Sequence, residues 1–160
     1  MATDLAPSPK SPFLPPRWVI SFAWKAHRAL YRWSGGRLGL RAAEGDTYGL
    51  AQLTTTGRRS GLERSVFIGY FHDGDDLVTM AMNGWGPAEP AWWLNLQAEP
   101  TGDLAMPGGP ITITARAATG PERDRLWQRW SEIDKGLDGY ASRRPNETVV
   151  VILTPQDGAA

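Results

Sequence analysis

The chain has 160 residues, about the size of one domain with a single core. It contains no cysteine, which excludes disulfides, thiolate nucleophiles, iron–sulfur clusters and cysteine zinc sites. The two histidines, His27 and His72, are far apart and lack metal-ligand spacing, so no metal site is expected. The formal net charge is zero, but residues 1–41 contain seven Lys or Arg and one acid.

The N-terminal residues 1–16 are rich in proline and predict a flexible or extended arm before a single domain at 17–160. They lack the apolar core of a signal peptide, and no later stretch approaches 18 apolar residues. A cytoplasmic protein is therefore expected.

Residues 17–33 predict an amphipathic helix, because apolar side chains recur at three- and four-residue steps. The apolar stripe contains Trp18, Phe22, Ala26, Ala29, Leu30 and Trp33. The opposite stripe is basic and contains Arg17, Ser21, Lys25, Arg28 and Arg32. The simpler interpretation is that the apolar stripe packs on the domain and the basic stripe faces water. The alternative is peripheral contact of this helix with an anionic membrane surface, which would be the inner face of the cell membrane.

The middle of the chain changes to a β pattern. Residues 48–56, 62–72 and 76–82 are β-rich, and the "DGDD" at 73–76 is typical of a hairpin turn. A three-stranded meander is the simplest interpretation of this region.

The later elements are predicted as two helices, 90–98 and 121–133, and three strands, 101–106, 111–119 and 148–154. Thr119 and Glu122, three residues apart, form a capping-box signal for the second helix. The last strand has few charges, which predicts burial on both faces. About six strands and two or three helices, without strand–helix alternation, favour a mainly antiparallel barrel with peripheral helices.

The stretch "LTTTGRRSG", residues 53–61, joins the end of a strand to a basic turn bounded by glycines. Such a turn offers several backbone N–H groups, while Arg58 and Arg59 add fork-shaped cationic donors, so it could bind phosphate or carboxylate. It is not a P-loop, because the required spacing and the Lys-Ser/Thr ending are absent. Composition alone leaves a solvated hairpin and an anion site both open.

Three segments resemble the deazaflavin-dependent nitroreductase family. They are the basic turn with Arg64 close behind, "AMNGWGPAEPAWWLNLQAEP" at 81–100, and "VVVILTP" at 149–155. The resemblance spans about residues 27–155. It implies a split β-barrel of the pyridoxamine-phosphate-oxidase type that binds reduced coenzyme F-420, an 8-hydroxy-5-deazaflavin with a phosphodiester and polyglutamate tail. FMN is the alternative cofactor.

The resemblance also implies site residues. The seat for the phosphate tail falls on Thr55, Thr56, Gly57, Arg58, Arg59, Ser60, Gly61 and Arg64. The deazaflavin ring would lie beside Met82, Asn83, Gly84 and Trp92. Tyr140 is a candidate proton donor or hydrogen-bonding wall.

This chain departs from the family pattern near the ring. Met82 replaces a small hydroxyl residue and Trp85 replaces a common glycine. Asp134 and Leu137 stand where the best-known nitroreducing member has tyrosines that shape its substrate pocket. We therefore expect this chain to share the cofactor binding of the family more closely than the nitroimidazole reduction of its best-known member.

The function implied is hydride transfer from the reduced coenzyme to an electron-poor organic acceptor, such as an enone, an activated alkene or a nitro compound. The alternative is a non-catalytic carrier of a cofactor, lipid or haem. The expected partner is a small-molecule substrate with no nucleic acid, and the chain is expected to be a monomer or homodimer.

Overall fold

The computed structural model describes residue 13, residues 15–36 and residues 38–156; most of the predicted arm at 1–16 lies outside them. The strands of the described chain are β1 (Gly49–Thr56), β2 (Glu63–Asp73), β3 (Asp76–Met80), β4 (Thr101–Met106), β5 (Gly109–Ala117) and β6 (Val150–Pro155). They close into a barrel in the order β1-β2-β3-β6-β5-β4, with antiparallel pairing throughout. The predicted mainly β, antiparallel split barrel is confirmed, including the β1-β2-β3 meander.

The described residues also form four helices: α1 (Arg17–Trp33), α2 (Ala91–Ala98), α3 (Gly120–Ile133) and α4 (Leu137–Ala141). The first three agree with the predicted helices to within a residue at each end. Helix α4 was not predicted, because five residues are too few to show a helical period. Strand β5 begins two residues earlier than predicted, because the turn before it needs only Pro107 and Gly108.

The predicted capping box at the start of α3 is wrong. Thr119 is the N-cap residue, but its side chain makes no capping hydrogen bond. Glu122 instead accepts two hydrogen bonds from Arg116, at 2.7 and 2.8 Å. A guanidinium offers a carboxylate two charge-assisted donors, which is a stronger pairing than one backbone N–H.

Strand β6 separates two apolar clusters. Val151 and Leu153 face the barrel interior, together with Leu53 and Tyr70. Val150 and Ile152 face the opposite way, where Leu126 and Trp130 of α3 cover them. All four β6 side chains are buried, which confirms the prediction that this strand is buried on both faces.

Helix α1 packs on the barrel through a face that the apolar periodicity did not predict. The rings of His27 and Tyr31 meet Phe67 of β2 edge-on, with centroids 4.3 and 5.1 Å away, and Trp24 stacks on the same ring at 6.4 Å.

The predicted apolar stripe of α1 lies on the exposed side instead: Trp18 is 73%, Phe22 69% and Trp33 84% exposed. The prediction that this stripe packs on the domain was wrong, because the other aromatic side of the helix covers the ring of Phe67. Within the part of the chain that is described, no helix has both the length and the hydropathy needed to cross a bilayer.

Candidate functional site

A cleft of about 1010 Å³ lies between α1 and the side of the barrel. Its walls come from the first three turns of α1, the turn after β1, the first half of β2, the loop after β3, the start of α2, and Tyr140 of α4. We call two of its segments the basic turn, residues 57–61, and the 82–86 loop. The structure brings these two distant parts of the sequence to one cleft.

The basic turn is closed by its own backbone. Gly57 donates its N–H to the carbonyl of Leu62 at 2.8 Å, and Gly61 donates to the carbonyl of Gly57 at 2.7 Å. A Cβ at Gly57 would lie 2.8 Å from Ser60 Oγ and 3.0 Å from the Leu62 carbonyl, so a larger residue does not fit. Gly61 has φ +68°, which favours glycine. The turn therefore needs both glycines, while Arg58 and Ser60 line the cleft.

Asn95 of α2 holds the basic turn in place. Its side chain is 3% exposed. Its Oδ1 accepts from the backbone N–H of Arg58 at 3.2 Å and from Arg58 Nη1 at 3.3 Å. Its Nδ2 donates to Thr55 Oγ1 at 3.1 Å. The sequence pattern did not single out Asn95, although an amide inside the apolar helix "AWWLNLQA" was a usable signal, because buried polar groups need partners.

The predicted tail-binding residues divide into two groups. Those that line the cleft are Gly57, Arg58, Arg59, Ser60 and Arg64. Thr55, Thr56 and Gly61 do not line it. Thr55 and Thr56 border a separate polar depression of about 340 Å³, and Gly61 shapes the turn through its backbone.

The 82–86 loop forms the other end of the cleft. Met82, Asn83 and Gly84, the residues predicted to lie beside the ring, line this end, and so does Trp85. Both Gly84 (φ +53°) and Trp85 (φ +59°) are left-handed, a conformation that costs a non-glycine residue about 1–2 kcal/mol. The Trp85 ring stacks on the ring of Tyr140, with centroids 5.6 Å apart and planes 20° apart. This stack gives the cleft a flat aromatic wall and helps to offset the backbone strain at Trp85.

Arg144 supports the 82–86 loop from both ends. Its buried guanidinium donates to the carbonyl of Gly86 at 3.1 Å and to that of Ala81 at 3.0 Å. It also donates to Thr148 Oγ1 at 2.8 Å and to Glu89 Oε1 at 3.0 Å. The sequence pattern did not indicate Arg144 as a site residue, because nothing in the local sequence shows that this arginine is buried.

The two neighbouring tryptophans of α2 have different positions. Both are buried and belong to the barrel core cluster, with Trp92 6% and Trp93 5% exposed. Trp92 also lines the cleft, whereas Trp93 does not. The two rings contact each other edge-on, with centroids 6.4 Å apart.

The cleft is positively charged. The lining residues of the described chain include five arginines and no carboxylate; the arginines are Arg17, Arg28, Arg58, Arg59 and Arg64. Within the described residues, no salt bridge joins any of them to a carboxylate, whereas the arginines at 116, 123, 125, 129 and 144 all have one. Unpaired cations along one groove attract an anionic ligand.

The described residues hold no group of three His, Asp or Glu side chains close enough to bind a metal ion. The closed antiparallel barrel and its basic cleft place this chain in the split-barrel class of proteins, with a cleft suited to an anionic ligand.

The comparisons with known proteins narrow this class to a family. The sequence profile of the F420H(2)-dependent quinone reductases matches residues 23–155. A quinone reductase of this kind from Mycobacterium tuberculosis is 32% identical over 133 residues, which cover 81% of this chain and 88% of the relative. The chain belongs to this family. The predicted resemblance, the reduced deazaflavin coenzyme and the oxidoreductase class are thereby confirmed.

Solved structures agree on the fold. An F420-H2 dependent reductase, FDR-A, is 27% identical with a TM-score of 0.59, and the match covers 65% of this chain and 92% of that chain. A protein described as a domain-swapped dimer has a TM-score of 0.63 at 24% identity, covering 86% of this chain and 97% of that chain. At this identity, the match to the domain-swapped dimer shows only that the two chains share a fold.

Proposed function

We propose that this chain reduces quinones by hydride transfer from reduced coenzyme F-420 bound in the cleft. The observation that carries the proposal is the set of unpaired arginines in a cleft with no carboxylate in its described lining. When bound, the coenzyme supplies a hydride and disfavours single-electron chemistry. A quinone is a conjugated enone, so it falls within the acceptor class that the sequence predicted.

The basic turn fits the anionic tail of this coenzyme. Arg58, Arg59 and Arg64 would bind the phosphodiester, with Ser60 and the backbone of the turn as further donors. Asn95 keeps Arg58 in position through two hydrogen bonds, so the seat is formed before any ligand arrives. Thr55 acts indirectly in this proposal, through its hydrogen bond with Asn95.

The 82–86 loop and Trp92 would hold the ring, and the Trp85–Tyr140 stack would form a wall for a planar acceptor. Tyr140 lines the cleft, and its hydroxyl is the candidate proton donor. Met82 and Trp85 occupy space that smaller residues leave open in the family pattern. This favours planar acceptors such as quinones over acceptors with bulky substituents out of the ring plane.

A fluorescence titration tests this proposal. Adding the purified chain to the coenzyme should quench coenzyme fluorescence in a saturable way, and Arg59→Glu should weaken the affinity by tenfold or more, because it reverses one charge at the phosphate seat (about 1.4 kcal/mol per tenfold). Arg116→Gln is the matched control, since Arg116 lies away from the cleft and should leave the affinity unchanged.

The titration also distinguishes between two hypotheses, that the chain is an enzyme and that it is a non-catalytic carrier. Quenching followed by reoxidation of the reduced coenzyme when a quinone is added supports the enzyme. A chain that leaves the coenzyme unquenched and retains a fatty acid or haem through native purification is a carrier.

We propose further that the exposed side of α1 contacts the cytoplasmic face of the membrane. Trp18, Phe22 and Trp33 present large apolar surfaces to solvent there. The sequence from residue 17 to residue 43 contains no acid, and Arg32 lies close to Trp33 on the same helix. Apolar and cationic side chains on one interfacial helix are what binding to anionic lipid requires. A quinone dissolved in that membrane would then be near the cleft.

A further inference from the structure

Arg17, the first residue of α1, lies against the 82–86 loop. A Cβ built at Gly86 would lie 2.9 Å from Arg17 Nη1 and 3.2 Å from its Cζ, so this guanidinium lies close against the backbone at Gly86. The carbonyl oxygen of Gly86 accepts a hydrogen bond from the buried Arg144. The backbone that Arg17 contacts is therefore held in place by the core of the protein.

A second contact fixes the start of α1 on the same loop. A Cβ at Gly84 would lie 3.5 Å from Ile20 Cγ2, which is ordinary van der Waals distance. Arg17 and Ile20 are three residues apart and therefore share one side of the helix. Both line the cleft. The first turn of α1 thus places a guanidinium at the loop end of the cleft.

Neither a salt bridge nor the proposed binding of the coenzyme tail accounts for the positive charge of Arg17. Among the described residues it has no salt bridge with a carboxylate. It also precedes residue 23, where the match to the family profile begins. Arg58, Arg59 and Arg64 belong to the basic turn or follow it directly. Arg28 lies eleven residues further along α1, about 16 Å away at 1.5 Å per residue.

We propose that Arg17 is a catalytic residue that binds the acceptor oxygen on which negative charge develops. The inference rests on the proposed function. In quinone reduction, one hydrogen and two electrons reach the quinone, which is reduced while the donor is oxidised. One quinone oxygen then carries a phenolate-type negative charge until a proton from water or from an acid converts it to the hydroquinone.

Arg17 suits this role for two physical reasons. An arginine guanidinium is cationic and presents planar donors to an oxygen anion. A cationic donor already positioned at the site stabilises a developing negative charge more than it stabilises a neutral carbonyl. Arg17 would therefore contribute mainly to kcat and little to the binding of the neutral quinone.

The kinetic test compares Arg17→Gln, Arg17→Lys and Lys25→Gln. Lys25 is exposed on the same helix and does not line the cleft, so Lys25→Gln controls for loss of positive charge on α1. We expect Arg17→Gln to lower kcat about 100-fold with KM for the quinone little changed, and Arg17→Lys to recover part of the loss. Unchanged kcat in Arg17→Gln, or an equal loss in Lys25→Gln, would overturn the inference.

A binding test gives a readout that does not depend on turnover. The probe is 4-nitrophenolate, a stable phenolate, followed by the arginine Nε–Hε signals in NMR spectra of the free and the coenzyme-loaded protein. The signal of Arg17 should shift on titration, and nitrophenol in the cleft should ionise at a lower pH with the wild-type chain than with Arg17→Gln. An Arg17 signal that does not move contradicts the inference, whether or not the coenzyme binds.

The two proposals fail in different ways. If the coenzyme does not bind the wild-type chain, the proposed function fails, and the NMR titration of the free protein still decides whether Arg17 binds a phenolate. If the coenzyme binds and quinone is reduced, but Arg17→Gln keeps full kcat, only the role of Arg17 fails.

Discussion

One amide side chain, Asn95, connects helix α2 to Thr55 at the end of β1 and to Arg58 in the basic turn. Its oxygen accepts twice from Arg58, and its nitrogen donates to Thr55. All three groups would need water or another partner if the amide were removed, and Thr55 is 2% exposed. A buried donor or acceptor without a partner costs about 1–3 kcal/mol. Asn95 therefore affects both the stability of the chain and the position of a proposed coenzyme-binding arginine.

We expect Asn95→Leu to lower the free energy of unfolding by about 1–3 kcal/mol, because it keeps the branched shape but removes the acceptor of the Arg58 N–H and the donor to Thr55, whose hydroxyl keeps only its long bond to the Arg64 carbonyl. Coenzyme affinity should fall by about tenfold, because the turn is no longer held. Urea unfolding and the fluorescence titration measure the two effects. Gln97→Leu, at an exposed position of the same helix, is the control. Equal stability and affinity in Asn95→Leu and wild type would show that this network contributes nothing.

At the scale of elements, helix α3 is joined to the β2–β3 hairpin by an ion pair. Arg125 donates to both carboxylate oxygens of Asp73 at 2.8 Å. These hydrogen bonds lower the pKa of Asp73 below its ordinary value of 3.8. Asp73 also pairs with Asp76 in the strand register at the hairpin. The ion pair therefore connects the turn between β2 and β3 to the helix that covers β6.

The stability contribution of this ion pair should depend on pH. The folded pKa of Asp73 is lower than the unfolded one, so the stabilisation is present above the unfolded value and is lost as pH falls through the folded value. Both side chains are partly exposed, so solvent screens the pair, and we expect Arg125→Gln to lower the free energy of unfolding only slightly near neutral pH. The difference from wild type should disappear at about pH 2.

Urea unfolding at several pH values measures this effect. Lys135→Gln, an exposed substitution near the end of α3, should show no comparable dependence on pH. A cost of Arg125→Gln that stays the same down to about pH 2 would rule out ionisation of Asp73 as its origin.

Helix α1 has two aromatic sides with separate contacts. One side covers Phe67 and lines the cleft through Trp24. The other side leaves Trp18 and Trp33 in solvent. No α1 residue is fully buried, and the helix is attached to the barrel by the ring contacts with Phe67 and by Arg17 and Ile20 beside the 82–86 loop. Substitutions on its outer side should therefore leave the barrel intact.

At the scale of the whole molecule, the neutral net charge conceals a separation of charge. The N-terminal region holds an excess of basic residues, and the rest of the chain holds the compensating acids. Folding places the cationic start of α1 beside the cationic basic turn, so that one side of the barrel attracts anions. Anionic coenzyme and anionic lipid would both approach from that side.

The membrane proposal is tested by co-sedimentation with vesicles. Wild-type chain should pellet with vesicles that contain phosphatidylglycerol and not with pure phosphatidylcholine, and salt should weaken the binding. The double variant Trp18→Ser with Phe22→Ser should stay in the supernatant while quenching the coenzyme as well as wild type does. Thr112→Ser with Thr114→Ser, exposed on β5, is the control. Equal pelleting of both variants would show that α1 does not direct the chain to membranes.

The sequence predicted much of this molecule because its signals were local. The apolar periods located three helices and all six strands, and the glycines and arginines of one short turn were enough to indicate a possible anion site. The resemblance then identified the coenzyme and predicted the residues that would lie near it. Its two main motifs, the basic turn and the segment at 81–100, do line one cleft.

The sequence by itself therefore determined the elements, their antiparallel barrel and the family. Only the tertiary structure decided which face of α1 contacts the barrel, because both faces are aromatic and the choice depends on Phe67, more than thirty residues away. The same holds for the burial of Arg144 and for the contact of Arg17 with Gly86. Each of these contacts joins residues that are distant in the chain. A periodic pattern in the sequence reports only local structure, so it cannot indicate hydrogen bonds or close packing between such residues.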